Sequence, residues 1–259
     1  MDCWASGLGG CGGKLSREHL VTEAFWQSNK ITVVGFPWCK KTPKEVGTAA
    51  IVSKFLCRNH NSALSPVDEG GVHAFEEFEA AENLTESRRR LGSRQWFLHC
   101  FDIDASLLER WFLKTAINLS LVNDWNIQWA LGNDGDRPPR SLVAAAFGQA
   151  PMVKPIGLYS AASVGDTIRP LSGLVFMPLI WDGHGLAGGL FEWRGYKFFL
   201  NLVDSPLPPV LPAMPGGAEG WAGATLSYHL NRINHVVNNS LSHFIDFDWP
   251  GSKLAHFAT

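Results

Sequence analysis

Apolar and polar positions along this chain follow two periods, one helical and one of strands, and the changes between them divide it into elements. From Ser65 onward Val72, Phe75, Phe78 and Leu84 recur at helical spacing. Ser65 is a good N-cap, Pro66 suits the first helical position, and Asp68 and Glu69 favour the positive end of the helix dipole. This pattern predicts a helix out to Arg88, Arg89 and Arg90, with Gly70 and Gly71 weakening its first turns. A second helix is expected over residues 103–122, capped by Asp104 or Ser106. Its Leu107, Leu108, Trp111, Phe112, Ala116 and Leu119 form a broad apolar stripe that must pack on something.

Strand-like segments flank these helices. Residues 14–21 predict a first short strand, and residues 22–26 a helical turn or loop. Residues 31–36, β-branched and bounded by Asn29 and Pro37, predict a second strand. A loop rich in Lys, Pro and Gly follows from Cys39 to Thr48, and a short helix is expected to begin near Cys57. Beyond about Trp125 the pattern changes. Turn-rich residues 132–140 and 148–155 precede β-like segments at 171–181, 188–194, 196–203, 225–233 and 243–250. Arg194-Gly195 reads as a hairpin turn, and residues 207–217 as a proline-rich excursion. The fold class is therefore α+β, with bridging helices and a C-terminal antiparallel β-rich domain packed on the helix at 103–122. The expected division falls between residues 1–92 and 93–259.

Composition narrows the classes. With 46% hydrophobic and 18% charged residues over 259 positions, the chain reads as a soluble globular protein, neither disordered nor membrane-bound. Its first residues lack the pattern of a secretory signal, and no run approaches the roughly twenty apolar residues that span a bilayer. Five cysteines, an odd number, fit a reducing compartment better than a disulfide scaffold, so a cytoplasmic, bacterial setting is expected and the sequons at Asn83 and Asn118 read as chance. A net charge of -2 argues against indiscriminate coating of nucleic acid. Up to Ser62, however, eight basic residues face four acidic ones, and Lys40, Lys41 and Lys44 lie in a loop that either grips phosphates or is simply solvated.

Chemistry concentrates near the N-terminus. Cys57 and His60 have the tight spacing of a zinc-ligand pair, and Cys3 and Cys11 form a looser pair across a glycine-rich turn. Four such ligands suit a closed, structural zinc ion; Cys39 is an alternative to Cys3. Gly7, Gly9 and Gly12 spell a dinucleotide-binding pattern, but no strand precedes them, which excludes that reading. Glu18 and His19 stand where a strand should end, and Asn61 stands near the start of a helix. Hard oxygen ligands beside a neutral imidazole are what a metal-dependent nuclease needs.

The order Cys, Cys, Glu-His, Cys, His-Asn resembles the HNH endonuclease family over about the first quarter of the chain. The resemblance implies a zinc-stapled ββα-metal module in which His19 is the general base. Glu18 and Asn61 would hold a catalytic Mg²⁺ or Mn²⁺, with Asp68 as a further ligand. Where the family carries an asparagine that orients the base, this chain has residues 47–55, and Thr48 or Ser53 is expected in that role. The implied activity is hydrolysis of phosphodiester bonds in DNA; the alternative is a zinc-stapled DNA- or protein-binding module without catalysis. The C-terminal half is expected to choose the target, recruit a partner or form a homodimer. Its Trp181, Trp193, Tyr196, Phe198 and Trp249 either stack on unpaired bases or fill a core, and its His184, His229, His235 and His243 show no ligand spacing.

Overall fold

Two long helices, α2 (Ser65–Leu91) and α3 (Ala105–Val122), lie against each other at the centre of the computed structural model. The structure describes residues 2–26, 28–91, 97–122, 137–162, 173–181, 185–212 and 221–250. Val67, Gly71, Ala74, Phe75, Phe78, Ala81, Thr85 and Arg88 form the buried stripe of α2, at helical spacing. This stripe is rotated from the one expected, since Val72 and Leu84 are only half-buried. Arg88 is buried rather than solvated: it donates to the carbonyl and hydroxyl of Ser242 and to the carbonyl of Phe97.

Helix α3 is buried on nearly all sides from Leu108 to Ser120, as expected of a helix enclosed by other layers. Asp104 is its cap, accepting from the Leu107 N–H at 2.9 Å and from the Ser106 hydroxyl at 3.0 Å. Gly70 and Gly71 lie under Leu107 and Trp111. A Cβ on Gly70 would sit 2.5 Å from that of Leu107, and one on Gly71 would overlap the Trp111 indole. The residues that weaken α2 by propensity are thus those that let α3 approach.

At the N-terminal end, β1 (Leu15–His19) pairs antiparallel with β4 (Val52–Cys57), and α1 (Arg58–Ala63) follows β4 directly. The expected second strand does form, as β2 (Lys30–Val33), but it pairs with β3 (Lys44–Gly47) in a separate hairpin. Burial explains the difference. Phe55, Leu56 and Cys57 are enclosed by the core, whereas β2 alternates between exposed and half-buried positions at an edge.

The C-terminal half contributes a five-stranded antiparallel sheet. Its strands are β6 (Gly157–Ala162), β7 (Leu174–Trp181), β8 (Gly185–Trp193), β9 (Tyr196–Asn201) and β10 (Thr225–Tyr228), in the order β10-β6-β9-β8-β7. The sheet meets α3 through Phe112, whose ring lies 4.6 Å from Phe191 and 5.1 Å from Phe198. Arg194 and Gly195, both at positive φ, make the expected two-residue turn between Trp193 and Tyr196. The expected strand over 225–233 divides at His229, also at positive φ, into β10 and β11 (Arg232–Val237). β11 joins β12 (Ser240–Asp248) and β5 (His99–Asp104), and the β12–β5 pairing is parallel. Strands β4, β5 and β6 and helix α4 (Arg140–Ala146) arise outside the expected elements, and β3 forms within the stretch expected to be a loop.

One apolar cluster crosses residue 92, running from Trp4 and Phe55 through Phe78 and Trp111 to Phe191 and Trp249. Trp193, Tyr196, Phe198 and Trp249 belong to it, so they are core aromatics and not open stacking faces; the side chain of Trp181 lies outside the described residues. Among the described residues, no helix is long and apolar enough to cross a membrane.

Candidate functional site

The turn at Ser6–Leu8, followed by Gly9 and Gly10 at positive φ, folds Cys11 back toward Cys3. The N–H of Trp4 donates to the Phe55 carbonyl at 2.9 Å, which ties this turn to β4. Cys57 stands at the N-cap of α1, and His60 lies on its buried side. As a result the Sγ atoms of Cys3 and Cys57 are each 3.3 Å from His60 Nδ1, and that of Cys11 is 3.6 Å away. All four donor atoms lie within 4.8 Å of one another. Tetrahedral zinc, with bonds of about 2.3 Å to sulfur and 2.0–2.1 Å to nitrogen, places S and N about 3.5 Å apart. The three thiols and one imidazole fit a metal ion such as zinc. Cys39 is buried in its own turn, where its carbonyl accepts from the Gly35 N–H, and it does not belong to the cluster.

The thiols differ. Burial raises Cys57, but hydrogen bonds from His60 and Gly12, and the influence of Cys3 and His60, outweigh it and bring the thiol down to about 6. Burial and the neighbouring Cys57 push Cys3 up to about 11. One thiolate near neutral pH is a starting point for metal capture, because the metal binds the deprotonated form.

Beside this cluster, Glu18, His19, Asn61 and Asp68 line one cavity of about 560 Å³, joined there by Thr22, Glu23 and Lys114. Consecutive residues of α1 therefore serve the two places: His60 turns to the thiols and Asn61 to the cavity. His19 Nε2 is 3.2 Å from Oε2 of Glu23, and the Thr48 hydroxyl donates to the other oxygen of Glu23 at 3.3 Å. Thr48 thus reaches the imidazole through a carboxylate. Ser53 lies across the ladder from Glu18.

An irregularity in the β1–β4 register, between Ser16 and Glu18, accompanies the turn of the Glu18 side chain inward. There Oε1 of Glu18 is 2.5 Å from Lys114 Nζ, and both oxygens of Asp68 are 2.6 Å from the same ammonium. Asp68 also accepts from the Thr22 hydroxyl at 2.6 Å, and that hydroxyl accepts from the Trp111 indole at 2.9 Å. Burial pushes the Glu18 carboxyl above the ordinary glutamate range, and Lys114 opposes the push. The oxygen donors suit a hard cation by type. Their arrangement gives the expected Mg²⁺ or Mn²⁺ no support, because both carboxylates already close on an ammonium.

Lys114, Asn118, Thr22 and Glu23 are absent from the sequence-based set. Asn118, one turn beyond Lys114, donates to the His19 carbonyl at 3.3 Å. Lys114 and Asn118 share their helix with Glu109, Arg110, Thr115 and Ser120, so nothing in the sequence marks them as inward-facing. Of the other described histidines, His235 and His243 are buried in the core, His229 is half-buried, and His73 and His99 are exposed. His229 pairs with Glu109 at 2.9 Å, and His235 and His243 stack 4.5 Å apart beside Thr85; His184 lies outside the described residues. In the basic loop Lys44 is turned onto the Trp38 carbonyl, while Lys40 and Lys41 are exposed. Comparison of the chain with protein-family models, with curated proteins and with solved structures returns no match.

Proposed function

We propose that this protein is an HNH-type endonuclease that hydrolyses phosphodiester bonds in DNA at the cavity between β1, α1 and α3. The observation that carries the reading is that one short helix presents His60 to a four-donor metal cluster and Asn61 to the cavity that receives His19. Cys3, Cys11, Cys57 and His60 would hold a structural zinc ion, which supplies a closed cross-link between the N-terminal turn and α1. His19 takes the proton of the attacking water, and Glu23, held by Thr48, orients the ring and stabilises its protonated form. The Asn61 amide offers a donor to a phosphate oxygen, and the basic excess of the first 62 residues favours the DNA backbone.

One observation favours a second reading, in which the same scaffold binds DNA or a protein without cutting: Lys114 is ion-paired with both carboxylates that would otherwise hold a catalytic ion. Incubating labelled single- and double-stranded oligonucleotides with the purified protein, with and without Mg²⁺, separates the two. Shortened products support hydrolysis. A retarded but uncut band supports binding alone.

A further inference from the structure

The geometry points to Lys114 as a tethered cation that occupies the divalent-ion position between Glu18 and Asp68 and keeps Mg²⁺ or Mn²⁺ out of it. In identifying that position as an ion site this rests on the hydrolytic reading; the exclusion itself depends only on the three side chains.

An ammonium carries three donors. Those of Lys114 meet Oε1 of Glu18 at 2.5 Å and the two oxygens of Asp68 at 2.6 Å, so its capacity is filled by carboxylates. The Lys114 side chain is only 3% exposed and that of Glu18 5%, which leaves little water to solvate either if they part. The lysine cannot drift away with its helix, because α3 is seated on α2 at Gly70 and Gly71 and pinned through Trp111 to Thr22. Thr22 in turn holds Asp68 at 2.6 Å. Both the ammonium and one of its carboxylates are thereby positioned by the same packing contact. A divalent ion entering here must first expel a buried ammonium from two anions. Asn61 and His19 line the same cavity but are half-buried and make no contact with the ammonium, so they remain accessible to a substrate.

The test is Mn²⁺ binding, followed by electron paramagnetic resonance of the free ion, on the zinc-loaded full chain. Mn²⁺ prefers oxygen ligands and leaves thiolate sites to zinc. Wild type is expected to show no saturable Mn²⁺ site. Lys114→Met is expected to gain one Mn²⁺ per chain, tighter by about a hundredfold or more, in line with the usual penalty for disrupting a buried ion pair. The double variant Lys114→Met with Asp68→Asn is expected to lose it again. A saturable Mn²⁺ site in wild type that Asp68→Asn removes would overturn the inference, and this arm needs no Lys114 variant to fold. So would a folded Lys114→Met, shown by its circular dichroism and zinc content, that gains no site. Wild-type Mn²⁺ binding at Asp68 with DNA cleavage would sink the lysine's role and leave the nuclease reading standing. A gained site in Lys114→Met with no cleavage by wild type would do the reverse.

Discussion

Replacing Cys57 by serine tests the candidate metal cluster at one of its two shortest contacts. The change removes one sulfur donor 3.3 Å from His60 Nδ1, and with it a thiol brought down to about 6. Structural zinc in small domains is bound with about 12 kcal/mol near neutral pH, so one ligand in four is worth about 3 kcal/mol, or about a hundredfold in affinity. Serine is a preferred N-cap residue, so the start of α1 should survive the change better than the site does. Metal content by elemental analysis, after dialysis against a weak chelator, is the assay. Wild type should retain about one zinc per chain, Cys57→Ser should lose most of it, and Cys39→Ser should behave as wild type because Cys39 lies outside the cluster. With zinc lost, the N-terminal turn is held by the Trp4 N–H to Phe55, the Trp4 ring on Phe147 and exposed polar contacts from Arg137 and Asn59, so limited proteolysis should begin there. Wild type without zinc, or Cys57→Ser with its full complement, would refute the reasoning.

Further outcomes follow from the same geometry. Burial holds His235 and His243 down to about 4, below the usual histidine value of about 6.5, so the folded state binds fewer protons than the unfolded one. Stability should be full above pH 6.5 and fall as pH drops toward 4, by up to about 1.4 kcal/mol per pH unit for each imidazole. Urea unfolding at pH 7 and pH 5 should show the loss and His243→Gln should flatten it; equal slopes in the two proteins would contradict it. Gly71→Ala should destabilise by about 1–3 kcal/mol in spite of a gain of about 1 kcal/mol in helix propensity, because the new methyl group meets the Trp111 indole. A rise in melting temperature would show that α2 and α3 are not packed in this way.

The legible parts of this molecule are those whose signal is local. Cys57 and His60 announce themselves by spacing, and their partners Cys3 and Cys11 by being soft ligands on one glycine-rich turn. Helix α3 was readable because its apolar stripe is unbroken, and the turn at Arg194-Gly195 because positive φ at both positions suits a tight hairpin. The partner of β1 was not. Val52–Cys57 carries its burial at its C-terminal end, where Phe55, Leu56 and Cys57 enter the core together, so it lacks the alternation that marks a strand. Strand β5 stayed hidden because its parallel partner, β12, lies near the far end of the chain. Lys114 was missed for the same reason: within α3 it looks like a solvent-facing lysine, and only its contacts with β1 and α2 show it buried.

The central claim is that the cavity holding His19 and Asn61 breaks phosphodiester bonds. It is tested most directly by the rate at which purified protein converts supercoiled plasmid to nicked circles, beside His19→Ala of equal zinc content. Removing a general base should slow that conversion by about a hundredfold or more. A His19→Ala protein that nicks as fast as wild type, or a zinc-loaded wild type that leaves the plasmid supercoiled, would contradict it.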